Sequence, residues 1–271
     1  MTLLTLMALF SFLSARPAPE VYGPQGQLSM VLTLPKEFDT EKDKCPLAIL
    51  MHGFMSRKDL YPIPSIADSL AKEGIASIRF DFDAHGKSAG KFKKMTVSGE
   101  IADAKAIVEY ALSLPFVTEI AFVGHSQGGV IAGMLAGELE GQPGRPACIV
   151  QLAPAAVLKD DALSGRCMNA KYDPTDPPES VNVFFHKLGR DFILEAQQLP
   201  IYETSAKYTG RVCLIHGTQD TIVPVSYSER YHNEYPDSEL HLLEGEGHML
   251  NNDKSALVGM VVGFLKDNLT K

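Results

Sequence analysis

The sequence predicts an α/β fold with a mainly parallel sheet and helices on both faces. Three observations predict it. Short apolar runs alternate with segments of helical period from about residue 28 onward. Gly and Pro punctuate those segments. The chain has 271 residues, 45% of them hydrophobic, which suits one large domain.

Taken in order, Leu28 to Leu34 alternates and stops at Pro35, as a strand does. Leu47 to Met51 is a continuous apolar run, the pattern of a strand buried on both faces. Ile63 to Lys72 has helical spacing, with Ile66, Ala67 and Leu70 on one side and Gly74 closing it. Ile75 to Phe82 is the next strand. Glu100 to Leu114 puts Ile101, Ala104, Val108 and Ala111 on one helical face, and Pro115 ends it. Ile120 to Val123 reads as a strand and Gln127 to Leu139 as a helix. Cys148 to Leu152, Val212 to Ile215 and Leu240 to Leu243 are further strands, with helices over Ser226 to Tyr235 and Ser255 to Leu265. One long stretch breaks the rhythm, between Leu152 and Val212. It holds Asp173-Pro-Thr-Asp-Pro-Pro-Glu179, which cannot be helix interior, and the pair Phe184-Phe185. A structureless loop of that length is rare in a compact domain. Residues 157–207 are therefore expected to form an inserted cap over the C-terminal edge of the sheet, within a domain spanning 21–271.

The formal net charge of −8 leaves no basic footprint for nucleic acid or for an anionic membrane surface. The four cysteines, Cys45, Cys148, Cys167 and Cys213, have no metal-type spacing, and three sit in strand-like runs, so buried free thiols are expected. Met1 to Ala15 carries no charged side chain and Leu3 to Leu13 is almost wholly apolar. The run is too short for a stable membrane anchor, which needs about 20 apolar residues. It has the length of a signal-peptide core, with Ser14 and Ala15 before a cleavage point and Arg16 to Glu20 as a linker, although no Lys or Arg precedes it. Residues 1–20 thus point to a secreted or periplasmic protein, with a cytoplasmic one as the alternative.

Gly124-His125-Ser126-Gln127-Gly128 matches G-x-S-x-G, with Gly129 following. The motif alone is common. Here it follows an apolar strand and opens a helix, the strand–turn–helix context that lifts a serine oxygen above a sheet. No Lys follows the glycines, so a phosphate-binding loop is not supported. A serine hydroxyl needs a base to take its proton. Of eight histidines, His248 lies in a Gly-rich loop just after the last strand. His232 and His241 fall within a helix and a strand, and an elbow turns His125 away, toward packing or a local hydrogen bond. The base needs an acid to fix its tautomer. Asp220 ends His216-Gly-Thr-Gln-Asp220 after a strand, and the order Ser126, Asp220, His248 is that of an α/β-hydrolase fold. Asp160 and Asp161 are the rival acids. An oxyanion hole would take one backbone N–H from Gln127 and another from Phe54, in the loop His52-Gly53-Phe54.

Beyond these motifs, the chain carries Ile75-Ala-Ser-Ile-Arg-Phe-Asp-Phe82, His85-Gly-Lys-Ser88, Leu152-Ala-Pro-Ala-Ala-Val-Leu158, Ala196-Gln-Gln-Leu-Pro-Ile-Tyr-Glu203 and Val212-Cys-Leu-Ile-His-Gly217. With them it resembles bacterial feruloyl (cinnamoyl) esterases of the α/β-hydrolase superfamily over roughly residues 25–268. The resemblance implies release of hydroxycinnamates esterified to plant cell-wall sugars, with no metal or cofactor. It implies that the cap covers the acyl pocket and that Asp161 meets the phenolic hydroxyl. Phe192 stands where such a pocket would carry a tyrosine, and Met168 where a polar amide would help. A pocket so lined suits less polar aryl or medium-chain acyl groups.

The substrate expected is a small aryl or acyl ester, including feruloylated sugars; a homodimer is compatible with the sequence. A broad esterase, a thioesterase or a dipeptide-releasing peptidase would share the same acyl-transfer chemistry. A non-catalytic binding protein on this fold is the remaining alternative, and it would be expected to lack part of the Ser126, Asp220, His248 set.

Overall fold

The structure is a computed structural model describing residues 20–269. The apolar stretch expected to direct export lies outside the described residues. A seven-stranded sheet forms the centre: β1 (Met30–Thr33), β2 (Cys45–Met51), β3 (Ala76–Phe80), β4 (Val117–His125), β5 (Cys148–Leu152), β6 (Arg211–Gly217) and β7 (Ser238–Leu243). Its spatial order is β7-β6-β5-β4-β2-β3-β1. All neighbours run parallel except β1, which pairs antiparallel with β3. A hairpin of Val21–Gly23 and Gly26–Leu28 precedes the sheet.

Alternation along each strand feeds two cores. Leu47, Ile49, Phe122, Ile149 and Leu214 point to one face, where they pack with α2 (Val97–Ser113) and α3 (Gln127–Glu138). Ala48, Leu50, Val123, Val150 and Ile215 point to the other, against α1 (Ile63–Lys72) and α8 (Lys254–Leu269). Burial on both faces is why these strands read as unbroken apolar runs. Helix α7 (Ser226–Glu234) links β6 and β7. Cys45, Cys148 and Cys213 are buried and Cys167 is half-buried, all as free thiols.

Between β5 and β6 the chain leaves the sheet. This excursion holds α4 (Val157–Leu163), α5 (Arg190–Ala196), α6 (Ile201–Ser205) and two hairpins, Arg166–Cys167 with Ala170–Lys171 and Ser180–Val183 with His186–Gly189. It is tied to the body at α2. There Glu195 accepts the Val97 amide at 2.7 Å and the Ser98 amide at 3.2 Å, placing a carboxylate at the positive end of the helix. Among the described residues, no helix is long and apolar enough to cross a membrane.

Candidate active site

Every candidate group sits where the parallel strands end, the edge at which such sheets bind ligands. Ser126 follows β4, His52 to Phe54 follow β2, Asp220 follows β6 and His248 follows β7. Ser126 stands at φ 57° and ψ −121°, outside the regions that side-chain-bearing residues prefer. The flanking glycines permit this turn. A Cβ on Gly124 would meet the Gly128 carbonyl oxygen at 2.1 Å, and one on Gly128 would meet the Met51 and His52 carbonyls at 2.4 Å. Strand end, elbow and helix start are packed backbone to backbone.

Ser126, His248 and Asp220 form one hydrogen-bonded chain. His248 Nδ1–H donates to Asp220 Oδ2 at 2.7 Å, which leaves Nε2 to accept from Ser126 Oγ–H at 2.9 Å. Asp220 Oδ1 accepts the amides of Ile222 and Val223, each at 2.8 Å. Burial pushes the Asp220 carboxyl up, but hydrogen bonds from His216 and His248 outweigh it and hold the group well below the usual carboxylate range. An ionised acid beside His248 suits stabilisation of an imidazolium. The rival acids are committed elsewhere. Asp160 accepts from Tyr227 Oη at 2.7 Å, and Asp161 pairs with Arg166 at 2.8 Å.

His125 does turn away from Ser126. Its Nε2–H donates to the His248 carbonyl at 2.9 Å, so this buried ring braces the loop that carries the candidate base. Burial, reinforced by the nearby His248, pulls His125 down to about 4 and keeps it neutral. His216 was not singled out from the sequence. It is fully buried, with Nε2 3.2 Å from Asp220 Oδ2 and 2.8 Å from the Val223 carbonyl, and Nδ1 2.7 Å from Ser228 Oγ. Nothing local in the sequence pairs residues 216 and 228; only their strand and helix placement does.

The loop after β2 lies against the elbow, since a Cβ on Gly53 would meet Ser126 Cβ at 2.8 Å. His52 orients this loop. Its Nδ1–H donates to the Gly53 carbonyl at 2.8 Å and its Nε2 accepts the Phe82 amide at 3.1 Å, a neutral tautomer that fits its burial-lowered value of about 3. Among the described residues, the amides of Phe54 and Gln127 donate to no protein acceptor. Both residues line the cavity above Ser126.

That cavity has a volume of about 590 Å³. The excursion 157–207 supplies much of its wall, bringing Asp161, Met168, Phe184 and Phe192 to the same space as Ser126 and Phe54. Phe192 is 4% exposed and packs on Phe54 with ring centroids 5.9 Å apart. Met168 is half exposed in a hairpin turn at φ 52°. Arg166, which the sequence reading passed over, joins the wall as the partner of Asp161.

Among the described residues, Cys213, Glu239 and His241 on the outer strands β6 and β7 bring one ligand atom each within 4.8 Å of one another. Glu239 is already paired with Arg211 at 3.2 Å and with His241 at 3.0 Å. A guanidinium thus holds the carboxylate that a metal would need.

The family described as serine aminopeptidase, S33, matches residues 43–174. Est1E from Butyrivibrio proteoclasticus, in a structure with ferulic acid bound, is similar over 94% of this chain and 100% of its own, with 29% identity and a TM-score of 0.87. A second structure of Est1E matches at 26% identity and a TM-score of 0.83, over 93% and 99% of the two chains. An α/β serine hydrolase homologue from Coxiella burnetii shares the fold at 20% identity and a TM-score of 0.63, over 91% and 95%. No curated protein matches the sequence. With the hydrogen-bonded serine at the strand ends and these likenesses together, the chain is a serine hydrolase with the α/β-hydrolase fold.

Proposed function

We propose that the protein is a carboxylesterase that cleaves esters of hydroxycinnamic and related aryl acids through an acyl-enzyme. The observation that carries this reading is the aromatic-walled cavity of about 590 Å³ opening on Ser126. It is supported by the likeness to Est1E, which has been seen with ferulic acid bound. The size is in the range that encloses a drug-sized ligand, and its walls are flat rings beside an apolar thioether.

In this reading Ser126 Oγ attacks the acyl carbon while His248 Nε2 takes its proton, and Asp220 holds the imidazolium. The amides of Phe54 and Gln127 receive the oxyanion. Collapse of the tetrahedral species breaks the bond to the alcohol, which leaves with the proton from His248. Water, deprotonated by His248, then attacks the acyl-enzyme and restores Ser126. Segment 157–207 serves as the cap that shields the acyl group. Asp161 reaches the distal end of the acyl group, already polarised by Arg166, while Phe192 and Met168 offer its ring apolar contact.

Specificity constants for methyl ferulate, methyl cinnamate and an alkyl butyrate test the reading. Aryl esters are expected to exceed the butyrate by at least about tenfold, the worth of roughly one well-packed methylene. A preference for butyrate would replace the proposal with a broad acyl esterase.

A further inference from the structure

Behind the elbow lies a buried polar cluster that the triad does not use. Glu100 sits in the first turn of α2 and is 1% exposed. Gln127 turns its side chain inward, and Nε2–H donates to Glu100 Oε2. The other carboxyl oxygen of Glu100 lies 3.7 Å from His85 Nδ1. His85 is 4% exposed, donates Nδ1–H to the Asp83 carbonyl at 2.9 Å, and so presents Nε2 as an acceptor. The group it accepts is the Met55 amide, at 3.2 Å. Met55 stands at φ 55°, a left-handed conformation that a methionine rarely adopts without support, directly after Phe54. One cluster therefore grips both sides of Ser126: the residue after the nucleophile through Glu100, and the loop opposite through His85.

An apolar side chain would fill this space without the cost of burying a carboxyl group. The polar choice has a geometric result, since each hydrogen bond ends on a residue carrying, or adjoining, a free amide above Ser126. We propose that Glu100 and His85 are positioning residues that hold the Gln127 and Phe54 amides in register for the oxyanion. The inference rests on the reading of Ser126 as the nucleophile. Burial pushes the Glu100 carboxyl up to about 8. The group is therefore neutral near pH 7, and a glutamine can replace it in size and charge.

The test uses the full chain with methyl ferulate as substrate and an aryl boronic acid, which a nucleophilic serine captures as a tetrahedral anion. Glu100→Ala, Gln127→Met and His85→Ala are each expected to lower kcat by about tenfold to a hundredfold, less than outright loss of a donor. KM should change by less than about twofold, and the inhibition constant of the boronic acid should rise in step with the loss of kcat/KM. Glu100→Gln and His85→Gln should recover most of kcat. The Glu100→Ala/Gln127→Met double variant should be no worse than either single variant, because both cut one contact. Gln127→Met breaks that contact from the other side, so the question stays answerable if Glu100→Ala does not fold. Folded variants with wild-type kcat, or with kcat lost while boronic acid binding is unchanged, would overturn the inference. If the wild-type enzyme itself is neither labelled at Ser126 by a fluorophosphonate nor inhibited by the boronic acid, the nucleophile assignment falls and the inference falls with it.

Discussion

Ser126 occupies a backbone conformation that costs free energy, about 1–3 kcal/mol for a residue with a side chain. Close backbone packing through Gly124 and Gly128 imposes it. The result is a hydroxyl held 2.9 Å from an imidazole that is itself oriented by Asp220. Ser126→Ala is expected to lower kcat by at least about a thousandfold with the fold retained, as read from initial rates and circular dichroism. Asp220→Asn should cost roughly a thousandfold to ten-thousandfold by presenting the wrong tautomer, whereas Asp160→Asn should stay within about threefold. Equal losses in the two variants would reopen the choice of acid. At this scale the elbow that carries Ser126 was legible because its motif is contiguous and flanked by a strand and a helix. Asp220 and His248 were legible by their order and their place after strands. The bracing contacts were not. His125 to the His248 carbonyl and Glu100 to Gln127 join residues far apart in the chain, and no local pattern encodes them.

At the level of elements, the excursion between β5 and β6 sets the pocket. Its helices were not resolved by sequence reading because they are short, with no sustained period of apolar positions. Its hairpins were hidden for a chemical reason. Their turns place Met168 and Phe184 at φ 52° and 49°, where a glycine would have signalled a turn. The sheet strands were easier, since burial on both faces writes an apolar run directly into the sequence. Phe192→Tyr combined with Met168→Gln is expected to raise the ratio of kcat/KM for methyl ferulate over methyl cinnamate by about 5- to 20-fold, through one or two new hydrogen bonds to the ring substituents. An unchanged ratio would mean that those side chains do not meet the distal end of the acyl group. The loop after β3 depends on a different device. Lys58 Nζ lies 2.7 Å from Asp81 Oδ2, with both side chains almost fully buried, and Asp81 also accepts the Lys58 and Lys87 amides. Asp81→Ala leaves the buried Lys58 ammonium with only the longer contact to Asp59, at 3.6 Å, and should cost about 3–5 kcal/mol, measured by urea unfolding.

For the molecule as a whole, two cores clamp the sheet, and one side of the site holds the buried polar groups Asp83, His85, Glu100 and Asp103. That side carries a pH signature. The Glu100 carboxyl has an ordinary value of 4.5 and is pushed up to about 8 by burial. Between those values the unfolded chain ionises and the folded one does not. The stability present below pH 4.5 is therefore lost as pH rises toward 8, by up to about 1.4 kcal/mol per pH unit, and then levels off. Glu100→Gln removes this component, so its stability relative to wild type should climb from pH 5 to 8. Parallel profiles for the two proteins would contradict the assignment. The parallel sheet and its helices could be read in advance, since they rest on period and punctuation. An excursion over residues 157–207 could be expected from the break in that rhythm, whereas the contacts that tie it to the body, such as Glu195 with the start of α2, could not. The most direct test of the proposed chemistry is mass spectrometry of peptides from enzyme acid-quenched during turnover of methyl ferulate. A feruloyl adduct on the peptide containing Ser126, absent from Ser126→Ala, is the expected result. Sustained turnover with the adduct on another residue, or with activity intact in Ser126→Ala, would contradict it.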